Sequence, residues 1–223
     1  MKLFYSTNSP YARKCRVVMF EKGLEDRVEL INVNPMENPP ELLAVNPLGT
    51  IPAMITEDGL HLCDSTVICE YLDRISPHQS LLPEEAHVCV LAMAVLADGI
   101  MDAAVSCVIE SRRPPEKKYP EWVSRKEAAI MRAIDKFSPL FLPQLAGGDQ
   151  EGGGTIKASP TQPSPASGGG LEVSFGTINL AVALAYVSFR LPHLDWRGKH
   201  PKLAAWLDEF SKRPSMQKTM PVA

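Results

Sequence analysis

"GTIPAMITEDGLHLCDSTVICEYL", residues 49–72, sets three features at fixed intervals: Ile51-Pro52 opening a strand, Asp58-Gly59 at a turn, and Asp64-Ser65 opening a helix. Asp-Gly between two alternating runs is the strongest short hairpin signal, so residues 51–56 and 60–64 read as paired strands. The stretch "STVICEYLDRIS" then carries apolar residues at helical spacing and stops before Pro77. A proline in a strand pattern lacks a ladder donor, which places Pro52 at an edge or turn. If the Ile51-Pro52 bond is cis, Ile51 is left with N–H and C=O groups facing outward, able to hold an extended peptide by strand-like pairing. Asp64 and Ser65 fall where helix N–H groups are free. A carboxylate beside those amides suits an amino-acid head group bearing both ammonium and carboxylate.

Upstream, "KLFYS" (2–6) reads as a short strand. From Arg13 to Lys22 the pattern is helical, with Cys15, Val18 and Met19 on one face and Gly23 as the stop. "RVELINVN" (27–34) returns as a second strand, and "PPELLAVNP" (39–47) is a brief helix. The order βαβ, then ββα, is that of a thioredoxin-like domain spanning residues 1–77. After a linker near 76–85 the character changes. Helical runs at 86–111, 120–145, 175–190 and 201–213, with no strand between them, make residues 86–223 an all-helical domain. Pro120 and Glu121 suit a helix start. The fold class expected is therefore α/β followed by all-α. Residues 147–170, "GGDQEGGGTIKASPTQPSPASGGG", are dominated by Gly, Ser and Pro and are expected to be a mobile surface insertion. Loop closure costs grow slowly with length, so such an insertion is tolerated.

Composition narrows the function. With 223 residues, 45% hydrophobic and 22% charged, the chain has the make-up of an ordinary globular protein. Its net charge of −3 and scattered basic residues disfavour nucleic acid. No apolar run is expected to approach the roughly 20 residues of a membrane span, and "MKLFYSTNSP" lacks a signal-peptide core. The five cysteines (15, 63, 69, 89, 107) form no CxxC pair and no zinc spacing. They are expected to be small buried residues in a reducing cytoplasm.

These motifs together resemble the cytosolic glutathione transferase family over essentially the whole chain. "KLFYSTNSPYARKCRVVMFEKGL", "NPLGTIP" and "DSTVICEYL" resemble its glutathione-binding half, and "SFGTINLAVALAYVSFRLP" and "HPKLAAWLDEFSKRPS" its helical half. The Ser-Pro-Tyr-Ala start is similar to that of its bacterial, YibF-like group. The resemblance implies glutathione as co-substrate, no further cofactor, a small electrophile as second substrate, and a homodimer. It implies that Ser9 occupies the position where omega-like and glutaredoxin-like relatives have cysteine. It implies that Ile51 pairs with the cysteinyl backbone, that Pro52 is cis, and that Asp64 and Ser65 hold the γ-glutamyl group. Thr50 stands where many relatives have a lysine or similar contact near the glycyl end, so that contact is expected to be weaker or displaced.

The resemblance gives the turn-rich "TNSPYARKC" (7–15) a purpose. A thiol of pKa about 8.5 is mostly protonated at neutral pH, and the thiolate is the nucleophile. Lowering that pKa by about two units takes roughly 2.7 kcal/mol. One charge-assisted hydrogen bond from Ser9 (about 1.5–3 kcal/mol) and the positive end of the following helix (about 0.3–1) together supply that. Ser6, Thr7 and Asn8 compete with Ser9 for this role, and helix capping is the plain alternative for Ser9. Tyr5 and Cys15 are expected to pack and His61 to be solvated. Tyr11, Met101 and Val105 are expected to line the electrophile pocket. Relatives carry Asp three residues after the serine of a buried capping box; here Ser174 is followed by Thr177, a shorter acceptor that keeps the box in weakened form. Two other functions fit the residues less well. Glutathione-dependent reduction of disulfides through a mixed disulfide lacks a cysteine at position 9, while peroxide reduction through the bound thiolate stays open. A non-catalytic binding protein of the stringent-starvation type needs no peptide-binding edge.

Overall fold

The computed structural model of this chain describes residues 1–145 and 172–222. The Gly/Ser/Pro-rich segment 147–170 lies outside the described residues. β1 (Lys2–Tyr5), β2 (Glu29–Asn32), β3 (Ala53–Ile55) and β4 (His61–Cys63) form one sheet in the order β2-β1-β3-β4. β1 and β2 are parallel, with Leu3 opposite Leu30, and α1 (Pro10–Glu21) is the crossover that parallel strands require. β3 runs antiparallel to both β1 and β4, with Met54 opposite Leu3 and Leu62. The hairpin turns at Gly59, whose φ of 84° suits a residue without Cβ.

Alternation along β1 explains the two faces of the sheet. Leu3 points to α1 and α3 (Ser65–Ile75), joining Cys15, Val18, Ile68 and Leu72 in the main core. Phe4 points the other way, onto Leu42 and Val45 of α2 (Pro40–Val45). α1 starts at Pro10, three residues earlier than the apolar period suggests, because proline at the first helical position has no N–H to leave unpaired.

The second half is helical: α4 (His87–Ser111), α5 (Pro120–Leu145), α6 (Phe175–Arg190), α7 (Trp196–Lys199), α8 (Pro201–Phe210) and α9 (Pro214–Lys218). The helix expected over 201–213 ends at Phe210, and Pro214 opens a separate one, since proline removes a helical donor. The segment Glu84–Ser111 is, by length and composition, apolar enough to cross a bilayer, contrary to expectation. Its inner side packs against α5 and α6 through Ala94, Ala97, Ile100, Met101 and Ala104. The weakened capping box of α6 is intact: Thr177 N–H donates to Ser174 Oγ at 3.2 Å, and Ser174 N–H to Thr177 Oγ1 at 2.9 Å.

Polar contacts fasten the two halves. Lys14, fully buried on α1, donates to Asp98 of α4 at 2.7 and 2.9 Å. Glu21 of α1 accepts a two-point bond from Arg213, at 2.9 and 2.8 Å, and the hydroxyl of Ser215. Asp73 accepts from Lys22, Ser80 and the amide of Leu81, which pins the connecting segment. Cys15, Cys69 and Cys107 are buried as expected; Cys89 is exposed and Cys63 partly so, which corrects the expectation for those two.

Candidate functional site

The site is assembled where β1 ends and α1 begins. Ser9 is the N-cap of α1, in extended conformation, and its Oγ accepts the Ala12 amide hydrogen at 3.3 Å. Capping uses an oxygen lone pair, so the hydroxyl hydrogen remains available to donate elsewhere. Capping and hydrogen-bond donation by Ser9 are therefore compatible. Ser6, Thr7, Asn8 and Ser9 all face a cavity of about 640 Å³ whose far wall is α4 and α6. Arg13, one turn into α1, is buried and reaches Thr219 Oγ1 at 3.4 Å and the Met216 carbonyl at 3.3 Å. Burial, and then the charge of Arg16, push its guanidinium down to about 10, so it is still a cation at neutral pH. Its charge adds to the positive end of the helix. Tyr5 packs, with the Arg16 guanidinium 4.7 Å from its ring centre.

The second wall comes from the hairpin. The Ile51-Pro52 peptide is cis, as expected. The β3 ladder begins only at Ala53, and the Ile51 N–H and C=O make no backbone hydrogen bond among the described residues. Asn46 Nδ2 donates to both the carbonyl and the hydroxyl oxygen of Thr50, each at 2.9 Å. Thr50 and Ile51 line the same cavity as Ser9. Pairing of Ala53 with Cys63 makes Ile51-Pro52 and Asp64-Ser65 leave the hairpin at the same end. Pro52, Asp64 and Ser65, expected at the site, are not among the residues lining the cavity.

Asp64 caps α3, with Oδ1 accepting the Thr66 amide at 2.7 Å. Its φ of 74° with ψ of 132° is a conformation that costs a non-glycine residue about 1–3 kcal/mol and gathers at ligand clamps. The side chain is exposed, and Ser65 beside it is buried. Thr66 Oγ1 lies 3.4 Å from Lys14 Nζ, so this helix start is tied to the Lys14–Asp98 pair.

The helical side departs from expectation at one residue. Val105 lines the cavity, with Val108 and Ile109, but Met101 is fully buried in the core and faces away. Tyr11 lines the cavity and donates its hydroxyl to Asp102 of α4 at 2.5 Å. Burial, and then that carboxylate, raise the Tyr11 phenol far above its ordinary value, so it stays protonated. Three lining residues have no local signal in the sequence: Arg112 at the end of α4, and Tyr186 and Arg190 near the end of α6. They meet only because the two helices pack together. Cys15 is a core residue; burial, then its contact with Cys69, hold its thiol well above the ordinary range.

Comparison with known proteins follows the same division of the chain. The family model for the glutathione S-transferase N-terminal domain matches residues 8–75, and that for the C-terminal domain matches residues 120–209. The uncharacterized GST-like protein YibF of Escherichia coli (strain K12) is 29% identical over 99% of this chain and 98% of its own length. A glutathione transferase family member from Pseudomonas fluorescens Pf-5, solved with bound glutathione, superposes with a TM-score of 0.84. It is 36% identical, over 100% of this chain and 99% of that one. A second structure of a Pf-5 family member, with bound S-(propanoic acid)-glutathione, gives a TM-score of 0.80 at 36% identity, over all of both chains.

Proposed function

Given that this chain belongs to the glutathione S-transferase family, we propose that it is an enzyme joining glutathione to small electrophiles, with the thiol activated at the start of α1. The observation that carries this reading is the convergence on one cavity of Ser9 and of Ile51, whose backbone is unpaired among the described residues, with the strained Asp64 leaving the hairpin at the same end. The Pf-5 relative's glutathione complexes support the same ligand here.

In this reading the Asp64 carboxylate takes the γ-glutamyl ammonium, and the free amides at the start of α3, with Ser65, take its carboxylate. Ile51 pairs with the cysteinyl backbone, while Thr50, held by Asn46, sits toward the glycyl end. The sulfur then lies against the start of α1. Ser9 donates to the thiolate, and the helix field and Arg13 favour the anion further. The thiolate attacks the electrophilic carbon, a C–S bond forms, and the leaving group departs with its bonding electrons. The thiol proton passes to solvent. No further cofactor takes part.

A mixed-disulfide reaction is disfavoured by serine at position 9 and by the buried, protonated thiol of Cys15. The chain divides into a glutathione-binding domain, 1–77, and a helical domain, 86–223, that supplies the electrophile wall. The described free cysteines accord with a cytoplasmic location. The outward face of α4 carries Val88, Leu91, Val95 and Leu96 in a shallow apolar groove, with Val88 77% and Val95 66% exposed. We assign this face to a homodimer.

Titration calorimetry with glutathione, and turnover of 1-chloro-2,4-dinitrobenzene with glutathione, test the enzyme reading. Binding with release of chloride is expected. Binding without turnover of any electrophile class would make the chain a glutathione-binding protein, and no binding would remove the reading altogether.

A further inference from the structure

The cavity that Ser9 faces is uneven in charge. Its lining includes two arginines, Arg112 and Arg190, and no carboxylate or lysine, although the chain as a whole is net negative. Neither arginine is in an ion pair among the described residues, whereas most of the acidic groups nearest the site are engaged: Asp102 by Tyr11, Asp98 by Lys14, and Glu110 by Arg113. Arg190 is half-buried, its guanidinium lies 4.2 Å from the ring centre of Phe189, and its Nε is buried without a hydrogen-bond partner among the described residues. Tyr186, largely buried, lies beside it. Burial raises the Tyr186 phenol pKa, and the charge of Arg190, its hydrogen bond and the charge of Arg112 oppose that rise. Val105, Val108 and Ile109 add an apolar strip to the same lining.

We propose that Arg112, Arg190 and Tyr186 form an anion subsite that selects electrophiles carrying a carboxylate on an apolar body. The assignment rests on the glutathione reading above and specifies its second substrate. Arg112 is exposed and Arg190 half-buried, and guanidinium N–H groups at the cavity wall gain a charge-assisted bond when a carboxylate arrives. A neutral electrophile of the same shape gains no charge-assisted bond there. The apolar strip takes the body of the substrate, the arginines take its distal anion, and the reactive carbon is left facing the sulfur. Glutathione's own two carboxylates are not the occupants, because its contacts lie on the hairpin side, at Thr50, Ile51 and Asp64.

The test uses two conjugates that differ by one group, S-(4-carboxybenzyl)glutathione and S-(4-carbamoylbenzyl)glutathione, titrated by calorimetry into the full-length protein beside glutathione itself. The carboxylate conjugate is expected to bind about 10-fold more tightly than the amide, a preference that shrinks as salt is raised. Arg190→Met and Arg112→Met should each reduce that ratio, and the double variant should bring it to about one. Equal affinities in the wild-type protein would overturn the subsite, whatever the variants do. Loss of affinity for both conjugates alike in the arginine variants would overturn it too, assigning the arginines to glutathione. If glutathione binds and the ratio is one, only this inference fails; if glutathione does not bind, the functional reading fails with it.

Discussion

Lys14 Nζ stands 2.7 Å from Asp98 Oδ1, and this pair crosses from the first half of the chain to the second directly beneath the start of α3. The lysine side chain is fully buried, while that of Asp98 is 23% exposed. Burial raises the Asp98 carboxyl pKa, and Lys14 opposes that rise without cancelling it. A buried pair of this kind matters most when one member is removed. Lys14→Ala should therefore destabilise the protein by about 3–5 kcal/mol in denaturant unfolding. A loss below about 1 kcal/mol would mean that water reaches Asp98 and the pair does little.

The α1–α9 clasp makes stability depend on acid. Burial alone would raise the Glu21 carboxyl, but the bonds from Arg213 and Ser215 outweigh it and hold the pKa below the ordinary value. A depressed folded-state pKa means that the stabilisation is present above the unfolded value, about 4.3, and is lost as pH falls through the folded one. Glu21→Gln should be less stable than wild type at pH 7, and the gap should close toward pH 3. A gap of the same size at both values would show that the clasp acts through packing rather than charge.

Much of the glutathione-side geometry was legible because its signals are local. Asp58-Gly59 sets the hairpin, and Ile51-Pro52 and Asp64-Ser65 then leave it at one end by strand pairing alone. The wall that α4 and α6 give the cavity was not legible. α4 is apolar around most of its 25 residues, so nothing in the pattern tells that Val105 faces the cavity while Met101 faces the core. Arg112 and Arg190 lie on helices separated by α5, and only packing brings them together. α7 and α9 have four and five residues, too few to show a helical period. The positive φ of Asp64 carries no pattern of its own, since a single Asp is among the few non-glycine residues that tolerate it.

The homodimer assigned to α4 is tested by a charge. Val95→Glu places a carboxylate in the middle of the exposed apolar groove, where a partner would have to desolvate it. Sedimentation should show a dimer for wild type and a monomer of about half that mass for the variant, with unchanged helical content. A wild-type monomer, or a dimer that survives the charge, would place the interface elsewhere.

Asp64→Asn keeps the side-chain oxygen that caps α3 and removes only the charge. Glutathione affinity should fall by about 1–3 kcal/mol, roughly 5- to 150-fold, with little change in melting temperature. Equal affinity in calorimetry would take the ammonium of the γ-glutamyl group away from Asp64.

The pKa of the glutathione thiol in the complex tests the account most directly, read from thiolate ultraviolet absorbance as a function of pH. Wild type should titrate about two units below the free value of about 8.5. Ser9→Ala should bring the pKa back up by about one to two units, with glutathione affinity at low pH little changed because the neutral thiol gains less from the hydroxyl. Thr7→Ala and Asn8→Ala should leave it in place. A wild-type complex whose thiol titrates at its free value, or a Ser9→Ala complex indistinguishable from wild type, would contradict the claim that the start of α1 is built to hold a thiolate.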